Sequence, residues 1–559
     1  MKPSISKTFI LLALLIGTGF HPYAQTNEAT DKYFEISKNL EIYTNLFKEL
    51  NIYYVDPIEP GLMTKTGIDA MLKGLDPYTN FISEAEIEDF EFQTSGRYGG
   101  IGTGIRIDDD SNVVIADPIE GSPVDKAGIR AGDIIVSIDG HTLKGKTEEQ
   151  FGPLLKGSSG TTLTMVIQHP FTGEHTTHTI QRQEINISSV PYFTLLGNEK
   201  NIAYASLTQF TPNCSRDLQK ALDSLKEQSK NLKGVVLDLR GNPGGLLSEA
   251  VSVCNLFLDR GQLVVSTKGK NADWNKEFHT NATAWNTSIP LVVLINHSSA
   301  SASEIVSGTI QDLDRGVVIG TRSYGKGLVQ IVRPLGYNTQ LKVTTAKYYT
   351  PSGRCIQAID YSHRNEDGSV AIVPDSLKKP FKTKNGRLVY DGGGVEPDVK
   401  TENVELSNML QTLLAKGYIF DYATKYYHEH SDIAPPQEFR LSDAEFNAFV
   451  TWLNSKDYSY QTASERKLQE LKEQAEAEKS FNKIRTEFNA LAAKLAHDKK
   501  RDIAQHAAEV SRVLAAEIAG RYYYQKGRVI NRLYNGDQDV QQALSLLDAD
   551  GSKYNEILK

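Results

Sequence analysis

Across residues 291–330 the spacing of apolar positions changes period three times. Leu291–Ile295 is an unbroken apolar run behind Pro290, the pattern of a strand buried on both faces. Residues 297–303 are small and polar and predict a sharp turn. From Glu304 the period lengthens: Val306, Ile310 and Leu313 fall at i, i+4 and i+7, the buried stripe of a helix. Residues 316–320 read as a second buried strand, 324–327 as a turn and 328–332 as a third strand. Ser301 therefore falls at a strand-to-helix junction, where unpaired helical N–H groups converge and an oxyanion would be stabilised. If the third strand starts near Lys326, Lys326 and Gln330 share one face by the period of two.

The same alternation of strand and helix patterns runs through residues 200–260. Residues 202–207 read as a strand, 216–232 as a helix, 234–239 as a buried strand and 246–256 as a helix. Between the last two lies Asp238-Leu239-Arg240-Gly241-Asn242-Pro243-Gly244-Gly245, whose glycine pair lets backbone N–H groups approach a ligand closely. Residues 31–90 carry helical stripes (Leu46, Leu50, Tyr53; Met63, Ile68, Met71, Leu72) interrupted by Pro57 and Pro60, and nothing catalytic is visible there. Residues 97–184 open on Tyr98-Gly99-Gly100-Ile101-Gly102 and continue with strands at 104–107, 113–116, 163–168 and 176–182. Thr147 and Gln150 form a capping box for a helix in the same stretch. No helix opens after these glycines and the spacing is not G-x-G-x-x-G, which excludes a dinucleotide fingerprint. Residues 340–349 read as a strand and 360–390 as an exposed loop. Beyond 401 the chain is helix-rich. Stripes at Phe481, Ile484, Phe488, Leu491, Leu495 and at Ile503, Ala507, Val510, Leu514, Ile518 predict a hairpin joined at 498–501, either a cap or a dimer interface.

A length of 559 residues calls for several cores, and 40% hydrophobic with 23% charged residues is ordinary globular composition. A net charge of −8 argues against a nucleic-acid partner. Lys2 and Lys7 ahead of the apolar residues 9–16 predict a secretory signal over 1–24, with an exported, periplasmic mature chain that has no transmembrane segment. The three cysteines, Cys214, Cys254 and Cys355, have no metal-ligand spacing, and neither metal nor cofactor is expected.

A serine and a lysine with no histidine between them suggest a Ser-Lys pair. Burial disfavours the ammonium, so a buried lysine amine can take the serine proton, and Gln330 could orient that amine without adding charge. Spacing alone fits equally a helix cap followed by a surface lysine. Ser299-Ala300-Ser301-Ala302-Ser303-Glu304-Ile305, then Gln311-Asp312, Gly325-Lys326-Gly327 and Gln330, resemble the C-terminal processing peptidases, or tail-specific serine proteases. The resemblance extends over residues 46–399. Ala127-Gly128-Ile129-Arg130-Ala131-Gly132-Asp133 is similar to PDZ domains; 54–57, 75–79, 350–354 and 394–398 are further phrases of the peptidase family.

The resemblance implies a multidomain α/β protein with a crotonase/ClpP-like core. Its expected divisions are a signal at 1–24, a helical region at 25–92, a PDZ domain at 93–185, the protease core at 186–400 and a C-terminal helical domain at 401–559. It implies Ser301 as nucleophile, Lys326 as base 25 residues later, Gln330 positioning Lys326, and Asp312 as structural. Ala302 and either Gly244 or Gly245 would supply the oxyanion hole. Gly99, Gly100, Ile101 and Gly102 would hold the C-terminal carboxylate of a protein or peptide substrate, with homo-oligomers left open. Two alternatives stand beside this reading: a PDZ scaffold that binds chain ends without cutting them, and a hydrolase pairing Ser301 with His297.

Overall fold

The computed structural model describes residues 27–365, 369–402, 406–495, 499–548 and 551–559. The expected signal at 1–24 lies outside them. The described residues up to 74 and those from 75 onward form separate compact units. In the first, Asn27–Tyr53 and Pro60–Lys73 are helices, the second opening on proline, whose missing N–H costs nothing at that position. Most of their apolar stripe is exposed, Tyr53 and Met71 included, while Leu72 is buried.

The second unit is built on a six-stranded sheet in the order Tyr192–Leu196, Ile202–Ser206, Gly234–Asp238, Leu291–Ile295, Val317–Gly320, Val399–Lys400. The first pair is antiparallel and the rest are parallel. Period two divides the side chains between two cores. Val235, Leu237, Leu291, Val293 and Ile295 face helices Cys214–Gln228, Leu247–Asn255 and Ala302–Asp312. Val236, Val292, Leu294 and Ile319 face the opposite side and meet Leu533, Val540, Ala543, Leu546, Leu547 and Tyr554. Burial on both faces is why these strands read as continuous apolar runs. The end of the chain therefore completes the core of the sheet.

A second sheet joins Asn80–Ile82, Thr339–Tyr349, Leu263–Gly269 and Lys276–His279, with Leu328–Gly336 also paired to Thr339–Tyr349. Residues 97–186 hold a further six-stranded sheet in which, among the described residues, Thr103–Ile107 pairs only with Val113–Pro118 and so presents a free edge. Helix Glu148–Leu155 opens with the expected capping box at Thr147 and Gln150.

Two expectations are corrected. Residues 360–390 are not loop throughout: Ile359–Arg364 pairs with Val370–Ile372, and Pro380–Lys382 with Leu388–Tyr390. These short strands are largely exposed, so no apolar period marks them. The C-terminal stripes do not close on each other either. Phe481–Leu495 buries no residue, while Ile503, Val510, Leu514 and Ile518 pack with Met409, Leu410, Leu413, Tyr422 and Phe449. A stripe specifies a face, and the aromatic-rich helices at 408–453 offered the better partner. Helix Lys499–Gln505 stands where a turn was expected, and residue 498 lies outside the described residues.

Candidate functional site

Strand Leu291–Ile295 delivers the chain to residues 296–300, and helix Ala302–Asp312 starts immediately after Ser301. Ser301 itself has φ 55° and ψ −112°, a conformation that L-residues rarely adopt. Such strain costs about 1–3 kcal/mol and persists only where neighbours over-determine it. Here the neighbours are explicit. Asn242, fully buried, accepts at its carbonyl from Ala300 N (3.0 Å) and Ser303 Oγ (2.9 Å). Its side chain donates to the Leu207 carbonyl (2.7 Å) and accepts from Gly244 N (2.9 Å). One residue thus staples the glycine loop to the serine turn, its side chain holding the loop and its backbone carbonyl the turn.

Glu304 holds the serine turn to the lysine turn. Its carboxylate is fully buried and accepts four hydrogen bonds: Ser301 N (2.8 Å) and Lys326 N (2.9 Å) on one oxygen, Ser323 Oγ (2.5 Å) and Gly325 N (2.7 Å) on the other. Burial pushes its carboxyl up to about 7 against the pull of those donors. From the other side Tyr348, 1% exposed, donates to the Lys326 carbonyl (2.5 Å), with the Ser301 carbonyl also in reach (3.1 Å). Donors and acceptors of the same two residues are therefore gripped together.

The Lys326 amine lies 4.4 Å from the centroid of the Tyr78 ring. Its pKa is lowered to about 8, first by burial and then by the charge of Lys342, with Glu304 and Asp76 pulling the other way. An amine so placed loses its proton through the mildly alkaline range and is half neutral at about pH 8. No hydrogen bond joins Ser301 Oγ to Lys326 Nζ among the described residues; such contacts commonly tighten only once substrate is bound.

The expected placement of Lys326 and Gln330 on one face rested on a strand beginning near Lys326. The strand begins at Leu328, so Lys326 lies in the preceding turn and the parity argument does not reach it. Gln330 instead donates to Thr344 Oγ1 (3.1 Å), which donates to Asp76 Oδ1 (3.2 Å). His297 is exposed and makes no hydrogen bond to Ser301 among the described residues.

The two glycines of the loop separate cleanly. Gly244, at φ +104°, is pressed against the serine turn: a Cβ there would stand 2.8 Å from Ser301 Cβ and 2.9 Å from Ala302 N. Its own N–H is occupied by Asn242. Gly245 N and Ala302 N have no hydrogen-bond partner among the described residues. The loop is anchored at its start by Arg240, which pairs with Asp238 (2.6 Å), Asp537 (2.8 Å) and Asp539 (2.8 Å), the last two from the C-terminal segment.

The arrangement brings the turn of Ser301 beside that of Lys326, a largely buried amine, with two N–H groups that have no partner among the described residues; a hydroxyl, an amine and such donors are parts that acyl transfer can use. Comparison with known proteins assigns the class. Residues 201–363 match the model of peptidase family S41, residues 114–169 a PDZ domain, and residues 409–547 the helical domain described as "Probable PDZ-protease, C-terminal helical domain". Over 337 residues the chain is 37% identical to a carboxy-terminal-processing protease of Bartonella bacilliformis, a match covering 60% of this chain and 75% of that one. The chain belongs to the carboxy-terminal-processing proteases. It is a serine-type peptidase with a PDZ domain. A probable CtpA-like serine protease of Staphylococcus aureus (strain COL) is 33% identical over 320 residues, 57% of this chain and 62% of that one. Among solved structures, a photosystem II D1 C-terminal processing protease is 27% identical and covers 64% of this chain and 92% of its own, with a TM-score of 0.35.

In this protease the Gly99–Gly102 stretch, expected to be one loop, is divided between a strand and a loop. Gly99 and Gly100 sit in strand Arg97–Gly100, paired with Gln183–Asn186, and are ladder residues. Ile101 and Gly102 follow the strand outside regular structure, and Ile101 lines a groove of about 640 Å³ that strand Thr103–Ile107 and helix Glu148–Leu155 also line. No helix among the described residues is long and apolar enough to cross a membrane.

Sequence reasoning missed Glu304, Tyr348, Asn242, Asp76 and Tyr78. Glu304 was visible as the third residue after Ser301, a Ser-x-x-Glu capping pattern. Residues 75–79 were assigned no chemistry, yet Asp76 accepts from Tyr78 N (2.8 Å) and Thr79 N (2.9 Å) and so fixes the turn that lays Tyr78 against Lys326. Nothing in the local pattern of an Asp-Pro turn says what its aromatic residue will touch.

Proposed function

We propose that this protease cleaves polypeptides with Ser301 as nucleophile and Lys326 as general base, and selects them by a free C-terminal tail held in its PDZ groove. The observation that carries the first half is the single buried carboxylate of Glu304, which gathers the N–H groups of Ser301 and Lys326. The neutral Lys326 amine takes the Ser301 proton as the hydroxyl attacks the scissile carbonyl, then returns it to the leaving amine. The developing oxyanion is received by Ala302 N–H and, of the two loop glycines, by Gly245 N–H, since that of Gly244 is already donated. Water then hydrolyses the acyl-enzyme with Lys326 again as base. Gln330, in this reading, acts through Thr344 and Asp76 on the Tyr78 turn rather than on the amine directly.

The tail would add as a strand to the free edge of Thr103–Ile107, with its carboxylate at Ile101-Gly102 and its apolar side chains toward Phe151 and Leu155. Residues 1–24 would direct export, so that the substrates are proteins outside the cytoplasm. The test is cleavage of an unfolded protein by the purified protein and by its Ser301→Ala and Lys326→Ala variants. Loss of cleavage in both is expected; turnover by Ser301→Ala in a contaminant-free preparation would overturn the assignment.

A further inference from the structure

The groove of the PDZ domain is not closed by PDZ residues alone. Tyr524, Gln525 and Lys526, from the long helix Ala507–Tyr534 far along the chain, line it as well. That helix breaks here: Tyr523 and Tyr524 leave helical geometry, and Tyr524 has φ 56°, an unusual conformation for an aromatic residue. The break is tied down on both sides of the Ile101-Gly102 loop. Tyr524 Oη donates to Asp125 Oδ1 (2.7 Å), and the adjacent Val124 N donates to the Ile101 carbonyl (3.1 Å). Arg528 pairs with Asp117 (3.2 Å), which stands opposite Gly104 in the ladder. The kinked segment is thus fixed at the end of the groove where the edge strand begins.

Charge gives this placement a purpose. The charged residues lining the groove are Asp117, Glu120, Glu148, Lys156 and Lys526. Asp117 is paired with Arg528 and Lys156 with Asp89, which leaves Glu120, Glu148 and Lys526 without ion-pair partners among the described residues. A carboxylate entering here meets two uncompensated acids, and Lys526 is the one exposed cation of the lining not already engaged.

We propose that Tyr524–Lys526 of the C-terminal helical domain is part of the tail-binding site and that Lys526 attracts the substrate's terminal carboxylate. This rests on the tail-binding reading above. The test uses full-length Ser301→Ala protein and a labelled peptide with an apolar C-terminus, prepared as free acid and as amide, with Kd read by fluorescence anisotropy. Lys526→Ala is expected to weaken the acid by roughly two- to fivefold, the range of an exposed charge pair, and Lys526→Glu by about tenfold. The amide should be unmoved by Lys526→Ala, and Lys526→Arg should restore the acid. An acid-to-amide ratio preserved in Lys526→Glu would overturn the assignment of Lys526. Equal affinity for acid and amide in the Ser301→Ala protein itself would instead overturn the tail-carboxylate reading.

Discussion

Replacing Glu304 with glutamine exchanges one carboxylate oxygen for an amide NH2 and tests whether one buried acceptor aligns both halves of the centre. The four donors converge in pairs, Ser301 N and Lys326 N on one oxygen, Ser323 Oγ and Gly325 N on the other. A glutamine can offer an acceptor to only one pair. With its oxygen kept toward Ser301 and Lys326, its amine faces Ser323, whose hydroxyl can turn to accept, and Gly325, whose N–H cannot. One orphaned buried N–H costs about 1–3 kcal/mol, partly offset because the neutral side chain carries no desolvation penalty of a charge. Glu304→Ala orphans all four donors and opens a cavity, so its cost should be several times larger, above about 4 kcal/mol. The assays are thermal unfolding and steady-state kinetics side by side. Glu304→Gln should remain folded, melt a few degrees lower, and lose kcat with little change in KM, since the interaction it disturbs does not touch substrate. Wild-type kcat in Glu304→Ala, at unchanged melting temperature, would refute the idea that this carboxylate holds the nucleophile and base in register.

Other consequences can be checked independently. Because Lys326 titrates near 8 and only its neutral form is a base, kcat/KM should rise about tenfold per pH unit below that value and level off above it; a flat profile from pH 6 to 9 would exclude the lysine. Gly244→Ala drives a methyl within 2.8 Å of the Ala300 carbonyl and Ser301 Cβ, and activity should fall on the order of 100-fold with the fold retained by circular dichroism. Ser301→Ala and Lys326→Ala act on one unit, so the double variant should be no slower than either single one, whereas Gln330→Ala should retain measurable turnover. Removing residues 538–559 uncovers Val236, Val292, Leu294 and Ile319, and the truncated chain should be recovered only as aggregate in a solubility assay.

The strands and helices that carry the centre were legible because each is buried on a defined face. Leu291–Ile295 is found at the bounds its apolar run predicts, and Ser301 lies at the strand-to-helix junction. What stayed hidden was set by contacts between distant segments. The 75–79 turn meets Lys326 only because Asn80–Ile82 pairs with Thr339–Tyr349, and a three-residue strand leaves almost no period to read. The C-terminal stripes showed which faces are apolar but not that the last helices would cover the far side of the central sheet. Gly99 and Gly100 looked like a carboxylate loop because glycine permits both a nest and the close approach of a neighbouring strand; a Cβ on Gly99 would stand 2.1 Å from the Gly157 carbonyl. Gly99 marks crowding there, and Ile101, two residues on, is the residue of the stretch that lines the groove.

The central claim is that Ser301 is the atom donor to the acyl intermediate and that Lys326 activates it. Intact-mass and peptide-mapping mass spectrometry after reaction with a peptidyl acylating agent measure this directly. The account requires one adduct per chain, located on Ser301, formed faster as pH rises through about 8, absent in Ser301→Ala and strongly slowed in Lys326→Ala. An adduct on another residue, or undiminished labelling in Ser301→Ala, would contradict it.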